Sequence, residues 1–178
     1  MTVPGTPLMK TLLQACGIFF LAVCMAACGY RFSGGGRLPG DVSRLTIETF
    51  ENRSGEIGIE SVITNDIIYE FTRTGKADVT KSQSAEAVLT GVIRSSRSST
   101  ISHVSSHTTA DRRITVTVDV KLARPSGTVL WSASGISASE EYTVADDKIV
   151  TEQNKKSAVA KLSSRLAQRI YYRMTDDF

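Results

Sequence analysis

The most constraining feature of this 178-residue sequence is an unbroken alternation of apolar and polar residues from Ile114 to Leu122. A repeat of two residues is the period of a β-strand with one buried face. Arg124-Pro125-Ser126-Gly127 then supplies the Pro and Gly of a tight turn, and Thr128 to Ser139 returns as a strand that carries Trp131. The sequence therefore predicts two long antiparallel strands whose shared apolar face must be covered by another layer, with Trp131 in the core.

Other strands follow from weaker patterns. Ser43 to Phe50 alternates, and Ala87 to Arg94 is apolar on both faces at its centre, as in the middle of a sheet. Val79 to Lys81 is a candidate short edge strand. The Ser- and Thr-rich stretch from Ser95 to Ala110 extends the preceding strand as an exposed edge or forms a loop, and its pattern does not decide between them.

Two segments have the 3.6-residue period of amphipathic helices. The first begins near Ile57 and ends at Thr74-Gly75, where glycine suits a left-handed cap. The predicted apolar stripes are Ile59, Val62, Ile63, Ile67 and Phe71 in the first helix, and Val159, Leu162, Leu166, Ile170 and Met174 in the second. Two helices and about four strands predict an α+β two-layer sandwich, with both helices on one face of a mostly antiparallel sheet. The other face is left to water or a partner.

The N-terminus has the features of a secretory signal. Lys10 precedes an apolar run from Leu12 to Ala27, which is shorter than the roughly 20 residues of a membrane-spanning helix. The run ends in Met25-Ala26-Ala27-Cys28, which resembles the lipobox of bacterial lipoproteins. That resemblance implies cleavage before Cys28 and attachment of acyl chains to it. The alternatives are an ordinary signal peptide and an uncleaved anchor.

These features predict three segments. Residues 1–27 form the removed signal peptide, 28–42 a lipidated, glycine-rich tether, and 43–178 a single periplasmic domain. By resemblance to lipoprotein sorting, Gly29 after Cys28, rather than Asp, implies the periplasmic face of the outer membrane. Cys16 and Cys24 leave with the signal peptide, so the mature chain is expected to form no internal disulfide.

Charge and motifs argue against nucleic-acid binding and catalysis. The chain has 21 Lys and Arg against 18 Asp and Glu, a net charge of +3, which is not a polycation. His103 and His107 would suit a metal only on a helix, which their Ser- and Thr-rich surroundings disfavour. Glu140-Glu141 and Asp146-Asp147 are adjacent carboxylates that point apart on a strand or turn. We expect no metal, no cofactor and no enzymatic activity.

Basic residues form the one candidate binding surface. They flank the central strands and begin the last helix: Arg94, Arg97, Arg112, Arg113, Lys155 and Lys156. Guanidinium groups have the planar geometry that phosphate oxygens favour. Gathered at one end of the sheet, these residues would bind an anionic ligand. Scattered, they would be ordinary solvated surface.

Several motifs, in order along the mature chain, resemble the LptE family of lipopolysaccharide-assembly lipoproteins. They are Cys28 to Phe32, Leu38-Pro39-Gly40, Glu48 to Ser54, Glu60 with Phe71 to Gly75, Ala85 to Ile93, Thr115 to Leu122, and Gly127 to Trp131. The resemblance implies a lipid-anchored plug inside the outer-membrane β-barrel LptD. Such a plug helps the barrel assemble and helps deliver lipopolysaccharide to the outer leaflet.

The resemblance also implies a ligand for the basic residues, because basic positions in the family are linked to the phosphates of lipopolysaccharide. Lys155 or Lys156 corresponds to such a position, whereas Ser95 to Ala110 departs from the family pattern. The six basic residues are therefore the predicted lipopolysaccharide-binding set.

A second resemblance leads to a different class of protein. Phe50 to Gly55, between a strand and a helix, is also similar to outer-membrane lipoproteins of the LpoB and CsgG type. Those proteins activate a peptidoglycan synthase or form a secretion pore. The start at Cys28 to Phe32 and the hairpin at Gly127 to Trp131 favour the LptE family over them.

Overall fold

The structure is a computed structural model that describes residues 37–81, 84–102 and 110–176. Cys28, His103 and His107 lie outside the described residues. After a short 3-10 helix at Pro39–Asp41, the elements in chain order are β1 (Arg44–Ile47), β2 (Glu51–Asn52), α1 (Ile59–Thr74), β3 (Asp78–Val79), β4 (Ala87–Ser102), β5 (Ala110–Ala123), β6 (Val129–Val144) and α2 (Lys148–Asp176).

The strands form one mixed sheet in the order β3-β1-β4-β5-β6, and β2 pairs with β4 beyond the end of β1. Strands β4, β5 and β6 are antiparallel, whereas β1 is parallel to β3 and β4, and β2 is parallel to β4. The two helices cover one face, as predicted, but the prediction of about four mostly antiparallel strands was wrong. Strands β2 and β3 have two residues each, too few to alternate. The α1 crossover makes β1 and β3 parallel, and residue periodicity does not encode strand direction.

The alternation in β5 produces the core of the sheet. Ile114, Val116, Val118 and Leu122 are completely buried and Val120 is 3% exposed. Trp131 on β6 also lies in the core. Strand β4 continues through the Ser- and Thr-rich stretch as far as Ser102, because backbone pairing with β5 does not require apolar side chains.

The helices pack their predicted apolar stripes against the sheet and against each other. Ile63 and Ile67 of α1 and Leu162 of α2 are fully buried. The rings of Phe71 and Tyr171 meet edge to face, with centroids 5.1 Å apart. Helix α1 stops at a left-handed glycine, Gly75. No helix in the described part of the chain is long and apolar enough to cross a membrane.

Three residues depart from the predicted pattern. Val62, assigned to the apolar stripe of α1, is 37% exposed. Leu38 and Val42 lie within the segment predicted as a tether, yet both side chains are buried in the core. Core contacts therefore extend upstream of residue 43.

Gly91 allows the segment between β1 and β2 to pack on the sheet. The ring of Phe50 lies directly over Gly91 of β4, and a Cβ at Gly91 would come within 2.1 Å of the Phe50 ring. The backbone N–H of Phe50 donates to the hydroxyl of Thr64 on α1 at 3.1 Å. Phe50 therefore joins the sheet to the helix layer, and only glycine leaves room for it.

We expect Gly91→Ala to lower the free energy of unfolding by about 1–3 kcal/mol, because the Phe50 ring must move out of a close-packed site. Urea denaturation of the folded domain measures this. A smaller side chain at position 50 should relieve the clash. Gly91→Ala should therefore lower the free energy of unfolding by less in a Phe50→Leu background than in the natural sequence. Equal costs in the two backgrounds would contradict the packing explanation.

Candidate functional site

Five of the six predicted basic residues, all except Arg94, lie toward the end of the fold where β4 ends, β5 begins, β6 ends and α2 begins. We call this the distal end. Arg94 lies at the middle of β4, where it pairs with Asp119. The strand register and the contacts of α2 distribute the six residues over three surfaces. These are the open face of the sheet, the helix-covered face, and a groove beside the start of α1.

Three of the arginines share the open face. Arg97 is opposite Thr115, and Arg113 lies two residues along β5 from Thr115, so Arg97 and Arg113 are diagonal neighbours. Arg94 donates to Asp119 at 2.6 Å, and Arg113 donates to Glu141 at 2.6 Å. Two of these three charges are therefore neutralised within the sheet.

Arg112 projects from the other face. It is opposite Tyr142 of β6, whose side chain is buried on the helix-covered side. The arginine itself is exposed. Adjacent residues on a strand point to opposite faces, so Arg112 and Arg113 cannot bind one ligand from the same side.

Lys155 and Lys156 line a groove of about 330 Å³ between α2 and the start of α1. Its apolar wall includes Ile57, which is 97% exposed, and Val62. The Lys155 ammonium is 2.8 Å from the carboxylate of Glu56. Burial disfavours the charge on Lys155, but the hydrogen bond and charge of Glu56 outweigh it and raise the pKa of Lys155. Lys156 is exposed.

The segment before α1 is held by Asn52. The Asn52 amide donates to the backbone carbonyl of Glu56 and to the carboxylate of Glu60, both at 2.7 Å. Its carbonyl accepts from the N–H and the hydroxyl of Ser54. The backbone N–H of Glu56 in turn donates to the Ser54 hydroxyl at 3.3 Å. This network places Glu56 against Lys155, a pairing that residue spacing does not reveal.

A second hollow of about 440 Å³ lies on the open face nearer the middle of the sheet. Glu48, Glu51, Asp119 and Lys121 are among its lining residues. Acidic groups outnumber basic groups among them, so an anionic ligand is not favoured there.

Asp119 of β5 forms hydrogen bonds to residues at the β-bulges of β4 and β6. Bulges interrupt the register between Ile93 and Ser95 on β4 and opposite Asp119 on β6, where Gly135 has a φ of 70°. The Asp119 carboxylate accepts from the backbone N–H of Gly135 at 2.9 Å and from Arg94. These two interactions lower the pKa of Asp119, the Gly135 hydrogen bond contributing most.

Within the described residues, the site has cations without acidic partners but no cluster of possible metal ligands. Within the described ranges there is no group of three or more His, Cys, Asp or Glu that could hold a metal. Arg97, Arg112 and Lys156 have no acidic partner among the ion pairs of the described residues. They are the cations of the predicted set that remain available to a ligand.

Comparison with models of protein families identifies the family of the chain. The family model LptE, described as lipopolysaccharide-assembly, matches residues 42–174, from just before β1 to the last turn of α2. The chain belongs to the LptE family. No curated protein is significantly similar to this LptE-family chain in sequence.

Solved lipoprotein structures have the same fold as this LptE-family chain. Lipoprotein B from Nitrosomonas europaea aligns over 78% of this chain and 84% of its own, with a TM-score of 0.54 and 16% identity. Rare lipoprotein B from Shewanella oneidensis aligns over 76% and 96%, with a TM-score of 0.51 and 14% identity. A minor lipoprotein from Acinetobacter baumannii aligns over 76% and 92%, with a TM-score of 0.50 and 15% identity.

The interactions of the Asp119 carboxylate with Arg94 and Gly135 make the stability of the fold depend on pH. A lowered pKa in the folded state stabilises the fold above the ordinary carboxyl pKa of about 3.9, and this is lost as pH falls through the folded value. Asp119→Asn keeps an acceptor for Gly135 but loses the charge opposite Arg94. We expect it to be less stable than the natural protein by up to about 1 kcal/mol at pH 7, a value typical of an exposed pair.

Urea denaturation at pH 7 and pH 3 measures the difference between the two proteins. The difference should shrink at pH 3, because pH 3 lies below the ordinary carboxyl pKa of about 3.9 and the stabilisation from the charged form of Asp119 is being lost there. A difference of the same size at both pH values would contradict an electrostatic origin.

Proposed function

We propose that this LptE-family protein is an outer-membrane lipoprotein, anchored through Cys28, that plugs an LptD-type β-barrel and helps it assemble. In this role it assists the transport of lipopolysaccharide to the outer leaflet, as a structural and assembly component rather than as a catalyst. The observation that carries the proposal is the family match, which spans the folded unit from residue 42 to residue 174.

The open face of the sheet supports the role of a plug. Its outward side chains are mostly hydroxyl-bearing or charged, including Thr90, Thr115, Thr117, Ser137 and Ser139. The interior of a large outer-membrane barrel is polar. A face of this composition can lie against such a wall and keep its side chains hydrogen-bonded to water or to protein.

The start of the described chain, near Gly40, supports the proposed anchor. Gly40 lies near Leu130, since a Cβ at Gly40 would come within 3.1 Å of that side chain. The Gly40 carbonyl accepts from Arg124 at 3.2 Å, at the end of the sheet opposite the distal end. The few residues between Cys28 and Arg37 span at most about 30 Å when fully extended. A lipid on Cys28 would therefore keep this end near the membrane.

Depletion of the protein tests the proposed role. We expect the abundance of the folded barrel and surface lipopolysaccharide to fall together, since a plug that assists barrel assembly is needed for both. Immunoblotting of outer membranes and surface labelling of lipopolysaccharide measure the two. The natural gene should restore both, whereas Cys28→Ala should leave the protein unanchored and restore them less. No change in either quantity on depletion would reject the role.

The partner recovered from detergent-solubilised outer membranes separates the proposed function from the alternative class. A large barrel protein supports the proposal. A penicillin-binding protein, or a homo-oligomeric ring, would place the chain with the LpoB and CsgG type of lipoprotein instead.

The proposal also includes direct binding of lipopolysaccharide by basic residues at the distal end. Arg97, Arg112 and Lys156 lack acidic partners, so reversing each charge to Glu should weaken binding of purified lipopolysaccharide by roughly two- to fivefold, as for exposed charge pairs. Equilibrium binding to the purified protein measures this. Arg173→Glu, at the opposite end of α2, is the matched control and should bind normally. Normal binding by all three variants would exclude these residues as a lipopolysaccharide site and leave the role of plug intact.

A further inference from the structure

Strands β4, β5 and β6 form an antiparallel meander, and its two outer strands, β4 and β6, differ in how their outer edges are covered. On β6, α2 supplies donors to the outward carbonyls. Arg169 donates to Ser137, Arg165 to Ser139, and Asn154 to Thr143. Side chains that occupy an edge in this way prevent another strand from pairing with it.

The edge of β4 is covered over only half its length. Strand β1 pairs with β4 from Ala87 to Leu89, and β2 pairs with Val92 and Ile93. Beyond Ile93, within the part of the chain that the structure describes, no strand pairs with this side of β4. Residues Arg97 to Ile101 are exposed.

The register identifies the backbone groups that this edge presents. The carbonyl of Ser139 points away from β5, so the backbone groups of Thr115, directly opposite, point toward β4. Arg97 is opposite Thr115 and therefore pairs with β5. Backbone groups alternate in direction along a strand, so those of Ser96, Ser98 and Thr100 point to the open side.

We infer that the edge of β4 from Ser95 to Ile101 accepts an extended segment of the barrel partner as an added strand, with an acidic residue of that segment facing Arg97. The inference rests on the proposed function, because it names a binding mode for the proposed partner. Strand addition satisfies the free N–H and C=O groups through main-chain hydrogen bonds, and the side chains set the specificity. The strands of a closed barrel wall are already paired, so the segment must be a loop or turn that enters the lumen.

Charge disfavours a second copy of this chain as the occupant. Two β4 edges paired antiparallel over so short a stretch would bring both Arg97 side chains to the same face, as direct or diagonal neighbours. Like charges in such positions destabilise strand pairing. An acidic residue there would instead form an ion pair with Arg97, which has no acidic partner among the described residues.

Hydrogen exchange of the full-length lipoprotein, alone and co-purified with its barrel, tests the inference. In the free protein, the amides of Ser96, Ser98 and Thr100 should exchange quickly. In the complex their exchange should slow by at least about tenfold, because they become donors in a ladder. The segment around Ser137 and Ser139 on β6 is the internal control and should change little.

Ser96→Pro provides a second readout. It removes an outward N–H without removing a hydrogen bond between β4 and β5, and it leaves the charge of the surface unchanged. Ser96→Ala keeps the N–H and is the matched control. Circular dichroism verifies that both fold. We expect Ser96→Pro to reduce the yield of barrel complex about tenfold, while Ser96→Ala forms the complex normally.

Each outcome decides between the two proposals. A complex that forms with unchanged exchange along β4 overturns strand addition and leaves the barrel role standing. Failure of the natural protein to co-purify with any barrel refutes both, and is seen at the first step. Protection of β4 in the free protein, accompanied by the mass of a dimer, would show self-pairing and overturn the inference. The exchange measurement uses the natural protein, so the test does not depend on the folding of the proline variant.

Discussion

The rest of the fold depends on burial of the apolar face of the β4–β5–β6 meander. A sheet with one apolar face must bury it, since removing apolar area from water is the dominant stabilising term in folding. Both helices meet this requirement from the same side, and β1 and β2 extend the sheet with Phe50 folded over Gly91. The opposite face is left polar, which is compatible with the proposed position against the polar inner wall of a barrel.

Covering one face of the meander does not cover its outer edges, and the edges of β4 and β6 are covered to different extents. Helix α2 is long enough to run along β6 and place Arg165, Arg169 and Asn154 on its outward carbonyls. Strands β1 and β2 end before the distal part of β4. The same helix layer that completes the core therefore closes one edge and leaves part of the other available to a partner.

Ion pairing decides which charges a ligand can reach. Arg94, Arg113 and Lys155 are each held by an acidic side chain, so they contribute to sheet geometry and loop position. Arg97, Arg112 and Lys156 remain open to an anion. The distal end thus combines free cations with a free strand edge, on surfaces that face in different directions. Arg112 and Lys156 lie away from the free strand edge, so the proposed lipopolysaccharide contacts there would not compete with the proposed barrel segment, whereas Arg97 belongs to both surfaces.

The sequence by itself determined the β5–β6 hairpin, both helices and the end of α1 at Gly75, because residue period and glycine conformation are local properties of the chain. It left open whether the basic residues gather at one end of the sheet or scatter over the surface. Only the tertiary structure decided the parallel strands, the pairing of Lys155 with Glu56, and the exposure of Val62. These depend on contacts between residues far apart in the chain, and β2 and β3 are too short to leave a pattern. The state of each sheet edge also belongs to the tertiary structure, because an edge exists only once the strand order is set.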